Sequence, residues 1–154
     1  MALKRFAITG AHTSANTTAA TAGIVKLEAT AATRAALYEW DFSSSAAAAP
    51  VDQNYLLRIK RQTTAGTWTA ATPSPLDPAD AAAVCVGGAN STAAGTASTA
   101  LLSIGVNARA GFRWVAIPDS EFIVPAAAAN GIIMEYQAVS GGTDNNTGVF
   151  FYQE

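Results

Sequence analysis

The stretch RAALYEWDFSSSAAAAPVDQNYLLRIKRQ, residues 34–62, carries the clearest structural signal in the sequence. In its first part, RAALYEWDF, aromatic side chains recur at every second position, and Glu39 and Asp41 fall between them. In its last part, YLLRIKRQ, Leu57 and Ile59 alternate with cations. A period of two is typical of strands that bury one face, so this stretch predicts two half-buried β-strands.

The connection SSSAAAAPVDQN between these two strands predicts that they form an antiparallel pair. If Phe42 stands near Tyr55, Glu39 comes opposite Arg58, and the two polar faces of the strands become one. Opposite charges across a strand pair favour that register by roughly 0.2–1 kcal/mol. The connection, which contains Pro50, is then expected to project as an exposed loop.

The rest of the chain repeats the pattern of short strands separated by clusters of Gly, Pro, Asn, Asp and Ser. This pattern is typical of antiparallel sandwiches and barrels. We therefore expect an all-β fold, an antiparallel β-sandwich of jelly-roll-like topology. We expect one domain over residues 1–154, with residues 1–22 as an N-terminal arm or loop-rich segment.

One short helix is expected near Pro78–Ala83. Asp77 is a favourable N-cap residue, Pro78 is tolerated at the first helical position, and the alanines that follow favour helix. The other alanine runs are too short to overcome the cost of helix nucleation.

Composition excludes several classes of partner. Nine Lys and Arg against eleven Asp and Glu give a net charge of −2, which provides no electrostatic basis for binding nucleic acid or an anionic membrane. The N-terminal residues do not resemble a signal peptide, and no apolar run approaches a membrane span. We expect a soluble protein made in a cytosol, with its single cysteine, Cys85, as a small buried side chain.

The sequence contains no pattern that predicts catalysis, a metal or a cofactor. His12 is the one histidine, and without neighbouring ligands it is expected to be a surface-loop residue. The serines therefore lack a visible general base. Glu39 and Asp41 share a strand face, as a pair of catalytic carboxylates in a glycosidase would, but solvated or ion-paired strand residues are the better interpretation. We expect the protein not to be an enzyme.

The aromatic residues allow two interpretations. Trp40 and Trp114 are expected to fill the core, although tryptophans can also form a platform that stacks on sugars. Trp68 follows a predicted hairpin turn, where it is expected to pack over a neighbouring chain. The consecutive apolar residues of GVFFYQE, which include Phe150 and Tyr152, predict a strand covered on both faces, by the core and by a neighbouring subunit or loop.

Three stretches resemble successive signatures of the head decoration, or cement, proteins of tailed bacteriophages: LYEW, LRIKRQTTAGTWTAATPSPLDPADAAA and NARAGFRWVAIPDSEFIVPAAAANGI. The likeness spans roughly residues 34–132. It implies a jelly-roll-like homotrimer that binds the major capsid protein on the outer surface of the capsid.

The candidate subunit or capsid contacts are then Trp68, Pro50, Phe150 and Tyr152. Contact surfaces rich in Ala, Thr and Ser, as in STAAGTASTA, would permit close approach of backbones at little cost in side-chain entropy. Two alternatives remain open: a structural component of the phage tail or baseplate, and a carbohydrate-binding module for host attachment. A glycan site would expose two or three coplanar aromatic rings, whereas a decoration protein would bury them.

Overall fold

The computed structural model describes residues 3–16, 21–44, 54–93, 95–138 and 142–154. Within these ranges the secondary structure consists of antiparallel strands, with no helix. The strands are β1 (Arg5–Asn16), β2 (Thr21–Glu28), β3 (Ala35–Ser44), β4 (Asn54–Gln62), β5 (Thr67–Ala71), β6 (Ser74–Pro75), β7 (Val86–Ala93), β8 (Ala97–Asn107), β9 (Phe112–Val115), β10 (Phe122–Val124), β11 (Gly131–Ala138) and β12 (Gly142–Gln153).

The strands form two sheets that pack face to face. Sheet 1 has the order β10-β3-β12-β1-β6, with β9 also paired to β3, and sheet 2 has the order β5-β7-β2-β11-β4-β8. Successive strands from β1 to β4 alternate between the two sheets. The chain crosses from sheet 2 to sheet 1 after β8, returns to sheet 2 for β11, and ends with β12 between β1 and β3 in sheet 1. This is a jelly-roll arrangement. The predicted all-β, antiparallel sandwich is confirmed.

The predicted pairing of the two strands in residues 34–62 is wrong. β3 lies in sheet 1, between β12 and the short strands β9 and β10, whereas β4 lies in sheet 2, between β11 and β8. Both strands carry a large apolar face, and each buries it against the opposite sheet. Each also finds opposite charges on another neighbour, since Glu39 meets Arg113 of β9 and Arg58 meets Glu135 of β11. Residues 45–53, which include Pro50, lie outside the described residues.

A β-bulge in β3 changes which residues face the core. The pairing register with β12 skips Tyr38, because Phe151 lies opposite Glu39 and Tyr152 lies opposite Leu37. Leu37 therefore points inward before the bulge and Trp40 points inward after it. An extra residue in one strand reverses the alternation beyond it.

The core lies between the two sheets and consists largely of aliphatic and aromatic side chains. Its largest fully buried members are Trp40, Tyr55, Tyr136, Tyr152, Phe6, Phe42, Phe150, Ile8, Ile24, Leu27, Leu37 and Leu57. Gly10 of β1 lies directly opposite Gly148 of β12. A Cβ atom at Gly10 would clash with the Ile24 carbonyl oxygen, so this glycine pair lets sheet 1 approach β2 closely.

The short helix expected near Pro78–Ala83 is absent. Asp77 does act as a local cap, because its Oδ1 accepts a hydrogen bond from Ala79 N at 2.9 Å and its carbonyl accepts one from Asp80 N at 3.0 Å. The chain forms a single turn and then continues without regular structure to β7. One turn without an apolar face to bury does not overcome the nucleation cost of a helix.

The N-terminal region also differs from expectation. Instead of an arm or a loop-rich segment within residues 1–22, Arg5–Asn16 is a strand inside sheet 1, paired along its length with β12. Its alternating burial resembles that of β3, although its inward positions include Gly10 and His12 and so give a weak apolar pattern. The N-terminal strand is therefore part of the sandwich.

Candidate interaction surface

Exposed apolar side chains gather at the end of the sandwich where residues 3–5 lie beside residue 154. Leu3 is 64% exposed, Leu76 50% and Val84 51%. Large aliphatic side chains normally avoid this degree of exposure when several lie together, and such groups mark interaction sites. We call the surface formed by Leu3, Arg5, Leu76, Val84 and Glu154 the end surface.

Backbone hydrogen bonds hold the end surface in place. Lys4 and Glu154 exchange two bonds, of 3.3 and 3.1 Å, and Leu76 N donates to Arg5 O at 2.8 Å. The Glu154 carboxylate accepts bonds from Val84 N at 2.7 Å and Cys85 N at 3.0 Å. The apolar side chains are therefore presented on ordered backbone rather than on a free loop.

Three shallow grooves divide this end of the sandwich. The first, of about 370 Å³, runs from Leu3 to Arg34 and Asp119, and the second, of about 340 Å³, lies between Leu3 and Leu76. The third, of about 310 Å³, lies on the other side of Arg5, against Tyr38. The Arg5 guanidinium stands 5.8 Å from the centre of the Tyr38 ring. Apolar positions with a charged rim are typical of protein interfaces.

Cys85, beneath the end surface, behaves as the expected small buried side chain. It is 3% exposed, and burial, together with the neighbouring Glu154 carboxylate, raises the pKa of its thiol. Burial and the same carboxylate raise the pKa of the Tyr152 hydroxyl. Neither group is ionised near neutral pH, so they contribute packing rather than reactivity.

A second surface is the outer face of β1 and β12, which we call the β1–β12 face. Along β1 it presents small side chains, Ala7, Thr9, Ala11 and Thr13. Along β12 it presents Thr147, Val149 and Phe151, all half-buried. Small residues on a regular sheet form a flat surface that another chain can approach closely.

Two of the four predicted contact residues, Phe150 and Tyr152, lie in the core. Both are 0% exposed, and the Tyr152 ring stacks on Phe6 with centroids 5.4 Å apart. These side chains have no surface to offer a partner, and it is Val149 and Phe151, on the opposite face of the same strand, that point outward. The predicted core face of the terminal strand is confirmed, and cover of its opposite face by a neighbouring subunit or loop stays a prediction.

Trp68 packs on its own chain. Trp68 lies on β5 and packs over Gly23 and Gly88. A Cβ atom added at Gly23 would clash with the indole ring, and one added at Gly88 would clash with the Cβ atom of Trp68. Lys26 Nζ stands 5.9 Å from the ring centre, and the indole Nε1 is buried without a hydrogen-bond partner. The half-buried indole ring thus covers part of the outer face of sheet 2. Only the edge of the ring is left for contact with a neighbouring chain.

Four further aromatic side chains, Trp40, Phe112, Trp114 and Phe122, stack on one another. Trp114 lies parallel to Phe122, with centroids 4.7 Å apart and planes 7° apart, and Trp40 is sandwiched between Trp114 and Phe112 at 6.3 and 5.3 Å. Trp40 is fully buried and Trp114 packs against the core, as predicted. Because these rings face each other, they do not form a coplanar platform.

Glu39 and Asp41, the two carboxylates that share a strand face, both lie beside Arg113. Glu39 accepts a bond of 2.7 Å from Arg113 Nε, and Asp41 Oδ1 lies 3.7 Å from the same atom. Burial and the Glu39 charge raise the pKa of Asp41, and Arg113 opposes the rise. These carboxylates are partners of a cation on β9, in agreement with the ion-pair interpretation, although the cation is not one of those predicted on β4.

His12 is not the surface-loop residue that its sequence context predicts. It is an inward-facing residue of β1, 6% exposed, with its ring 6.0 Å from that of Tyr136 and its Nδ1 unpartnered. Burial lowers its pKa. Asn146, directly opposite on β12, is fully buried, and neither atom of its amide group has a partner. A lone polar residue among Ala, Thr and Ser gives no signal that distinguishes a strand from a loop.

Among the residues that the structure describes, no group of three His, Cys, Asp or Glu side chains is placed to hold a metal ion. The same residues contain no helix that could cross a membrane. Comparison with protein-family models, with curated proteins and with solved structures found no match to this chain.

The end surface, which sequence reasoning missed because Leu3, Leu76 and Val84 are distant in the chain, is the strongest candidate site.

Proposed function

We propose that this protein is a structural component of a tailed-bacteriophage virion, a decoration or cement protein without enzymatic activity. In this proposal a homotrimer binds the major capsid protein on the outer surface of the capsid and stabilises the shell. The proposal rests on the resemblance of residues 34–132 to that family. The observation that best supports it is the end surface, where exposed Leu3, Leu76 and Val84 are held on hydrogen-bonded backbone.

The end surface suits a mechanical role. Burial of one exposed leucine or valine contributes roughly 1.5–3 kcal/mol at most, so a single copy with three such side chains would bind weakly once the entropy of association is included. A trimer makes the same contact three times, and the high effective concentration of its second and third sites turns weak contacts into stable attachment. Each trimer would thereby join neighbouring capsid subunits.

The β1–β12 face supports the subunit contact of the trimer. Its small side chains allow close approach of a second backbone, and Val149 and Phe151 supply apolar area at its centre. The aromatic stack supports the structural role over the carbohydrate-binding alternative, since Trp40, Trp114 and Phe122 use their ring faces to pack on each other.

Electron microscopy of the phage that encodes the protein tests the proposal directly. We expect density for the jelly roll on the outside of the head. Density on the tail or baseplate would instead support the tail alternative, and absence from the particle would refute a virion role.

Binding of the purified protein to capsids that lack it tests the end surface. We expect Leu3→Ser with Leu76→Ser to weaken binding about tenfold or more, because both side chains would lose their burial. Val86→Ser is a control for the loss of one exposed apolar side chain, because Val86 is 47% exposed but lies opposite Glu28 of β2, outside the end surface. Equal loss in both variants would contradict a specific role for the end surface.

A further inference from the structure

The four sheet edges differ in how well they are protected against pairing with another strand. In sheet 1, β6 has two residues, one of them Pro75, and pairs only with Phe6 and Ala7 of β1, so residues 8–16 of β1 also belong to this edge. β9 and β10 have four and three residues, with Arg113 on β9. In sheet 2, β5 has five residues, whereas β8 has eleven and contains neither proline nor a charged residue. Short length, proline and charge are the usual devices that prevent edge pairing, and β8 has none of these.

The two halves of β8 are not equivalent. Register shifts interrupt the pairing of β8 with β4 near Leu101 and again before Ala100. Because such irregularities increase the local twist of a strand, the first half of this edge is not regular. Residues 102–106 pair with β4 without interruption. Their sequence, LSIGV, alternates apolar and small side chains. The regular, uncharged part of the edge extends one residue further, to Asn107, and its first five residues carry this alternation.

These five residues are complementary to themselves. In an antiparallel pair about a two-fold axis through Ile104, Ile104 meets its own copy, and Leu102 meets Val106 of the second copy on the core side of the sheet. On the outer side, Ser103 meets Gly105. Ser103 is exposed, and a Cβ atom added at Gly105 would contact nothing within 4 Å, so the outer side is open to an approaching strand.

We propose that β8 is a self-association edge, at which residues 102–106 of two copies pair antiparallel about a two-fold axis through Ile104. The backbone groups on the side of β8 that faces no other described strand then gain partners, and sheet 2 of one copy continues into sheet 2 of the other. A second copy is the occupant that the sequence favours, because the alternation places apolar opposite apolar and small opposite small, with no like charges in contact.

Nearby side chains favour the same contact. Leu102 and Ile104 are only partly buried at the margin of the core. A copy added at β8 would cover Ile104 with its own Ile104 and Leu102 with its own Val106, without requiring a new apolar surface. This inference concerns association between copies and does not depend on attachment to a capsid.

Disulfide trapping tests the register, in a background with Cys85→Ala. Directly opposite residues of an antiparallel pair have Cα atoms about 4.5–5.5 Å apart, within disulfide range, whereas diagonal neighbours are about 7–8 Å apart. A mixture of Ser103→Cys and Gly105→Cys proteins should therefore form a mixed disulfide dimer on mild oxidation. Either variant alone should form little disulfide-linked dimer, because its cysteines are then diagonal neighbours. Equal cross-linking in the mixture and in the single variants, or none in any of them, would overturn the register.

A charge variant tests the contact itself. Ser103→Glu with Gly105→Glu places like charges directly opposite each other in the pair, while Arg58 lies opposite position 103 within the same chain and helps to retain the fold. Sedimentation should show at least twice the mass for the wild type as for this variant at the same concentration. The uncharged control, Ser103→Thr with Gly105→Thr, should keep the wild-type mass.

The two tests distinguish this contact from the trimer of the proposed function. If a three-fold contact exists elsewhere, the charge variant should sediment as a trimer and the wild type as two or more trimers joined together. If none exists, the masses should be those of a monomer and a dimer. Wild type and charge variant of equal mass, with both variants folded by circular dichroism, would refute the self-association edge.

Discussion

Glu135→Gln is expected to destabilise the protein because it removes a buried carboxylate that two cations share. The Glu135 side chain is 3% exposed on the outer face of sheet 2, where Oε1 contacts Lys60 Nζ and lies 3.6 Å from Arg58 Nη1. Arg58 also donates to Gln137 Oε1 at 3.0 Å. Glutamine keeps the shape of the side chain but removes its charge, which leaves two neighbouring cations without their common anion.

The expected magnitude follows from distance and exposure. At an effective dielectric constant of about 20, two unit charges 3.6 Å apart attract each other by roughly 4–5 kcal/mol before desolvation is counted. The Lys60 and Arg58 side chains are 21% and 24% exposed, so water recovers part of this loss. We expect a decrease of about 2–3 kcal/mol in the free energy of unfolding, below the 3–5 kcal/mol typical when a fully buried pair is broken.

Urea unfolding followed by tryptophan fluorescence, at one protein concentration for all variants, measures this decrease. In thermal unfolding the same change corresponds to about 4–12 °C in Tm for a chain of this size. The matched control is Glu39→Gln, which breaks an ion pair whose cation, Arg113, is 65% exposed, and should cost less than about 1 kcal/mol. If Glu135→Gln lies within about 0.5 kcal/mol of the wild type, the buried ion cluster does not stabilise the fold as argued.

Three other changes have defined outcomes. The folded-state pKa of His12 is lowered from 6.5, so the unfolded chain binds a proton first, and the free energy of unfolding should fall as the pH drops below about 6.5. His12→Phe should lessen that fall, and an identical pH profile would contradict the assignment. Gly10→Val should lower Tm by on the order of 10 °C, because overpacking the core against the Ile24 backbone costs about 3 kcal/mol, whereas Gly105→Val, in open space, should change Tm little. Deletion of residues 149–154 removes half of the strand between β1 and β3, and circular dichroism should show loss of the folded state; a deletion variant that still melts cooperatively near the wild-type Tm would contradict this.

The sequence predicted individual strands better than their arrangement. Alternation in residues 34–42 and 55–62 located β3 and β4 because each strand buries one face. The same alternation predicted the wrong inward-facing residues on one side of Tyr38. The β-bulge there adds one residue to β3, and the amino-acid sequence carries no signal for it. It also gave the wrong partners, because opposite charges suited to Glu39 and Arg58 occur on several strands.

The candidate site was less accessible to sequence reasoning than the fold. Phe150 and Tyr152 were identified as part of a strand, but which of two alternating faces reaches the core depends on the register with β1 and β3. Leu3, Leu76 and Val84 come together only because β6 pairs with β1 and Glu154 holds the segment before β7. Contacts of that kind depend on tertiary structure and leave no local pattern.

The pairing of β1 with β12 determines when the fold can be completed. These strands join residues 5–16 to residues 142–153, and β12 is also the neighbour of β3 on its other side. Sheet 1 therefore has no continuous centre until β12 is in place, and until then β1 and β3 each present an unpaired edge. Closing so long a loop is slow, and refolding in milliseconds to seconds is expected of such a topology. Before β12 is in place, those unpaired edges can pair with other chains, so incompletely folded molecules are expected to be prone to aggregation.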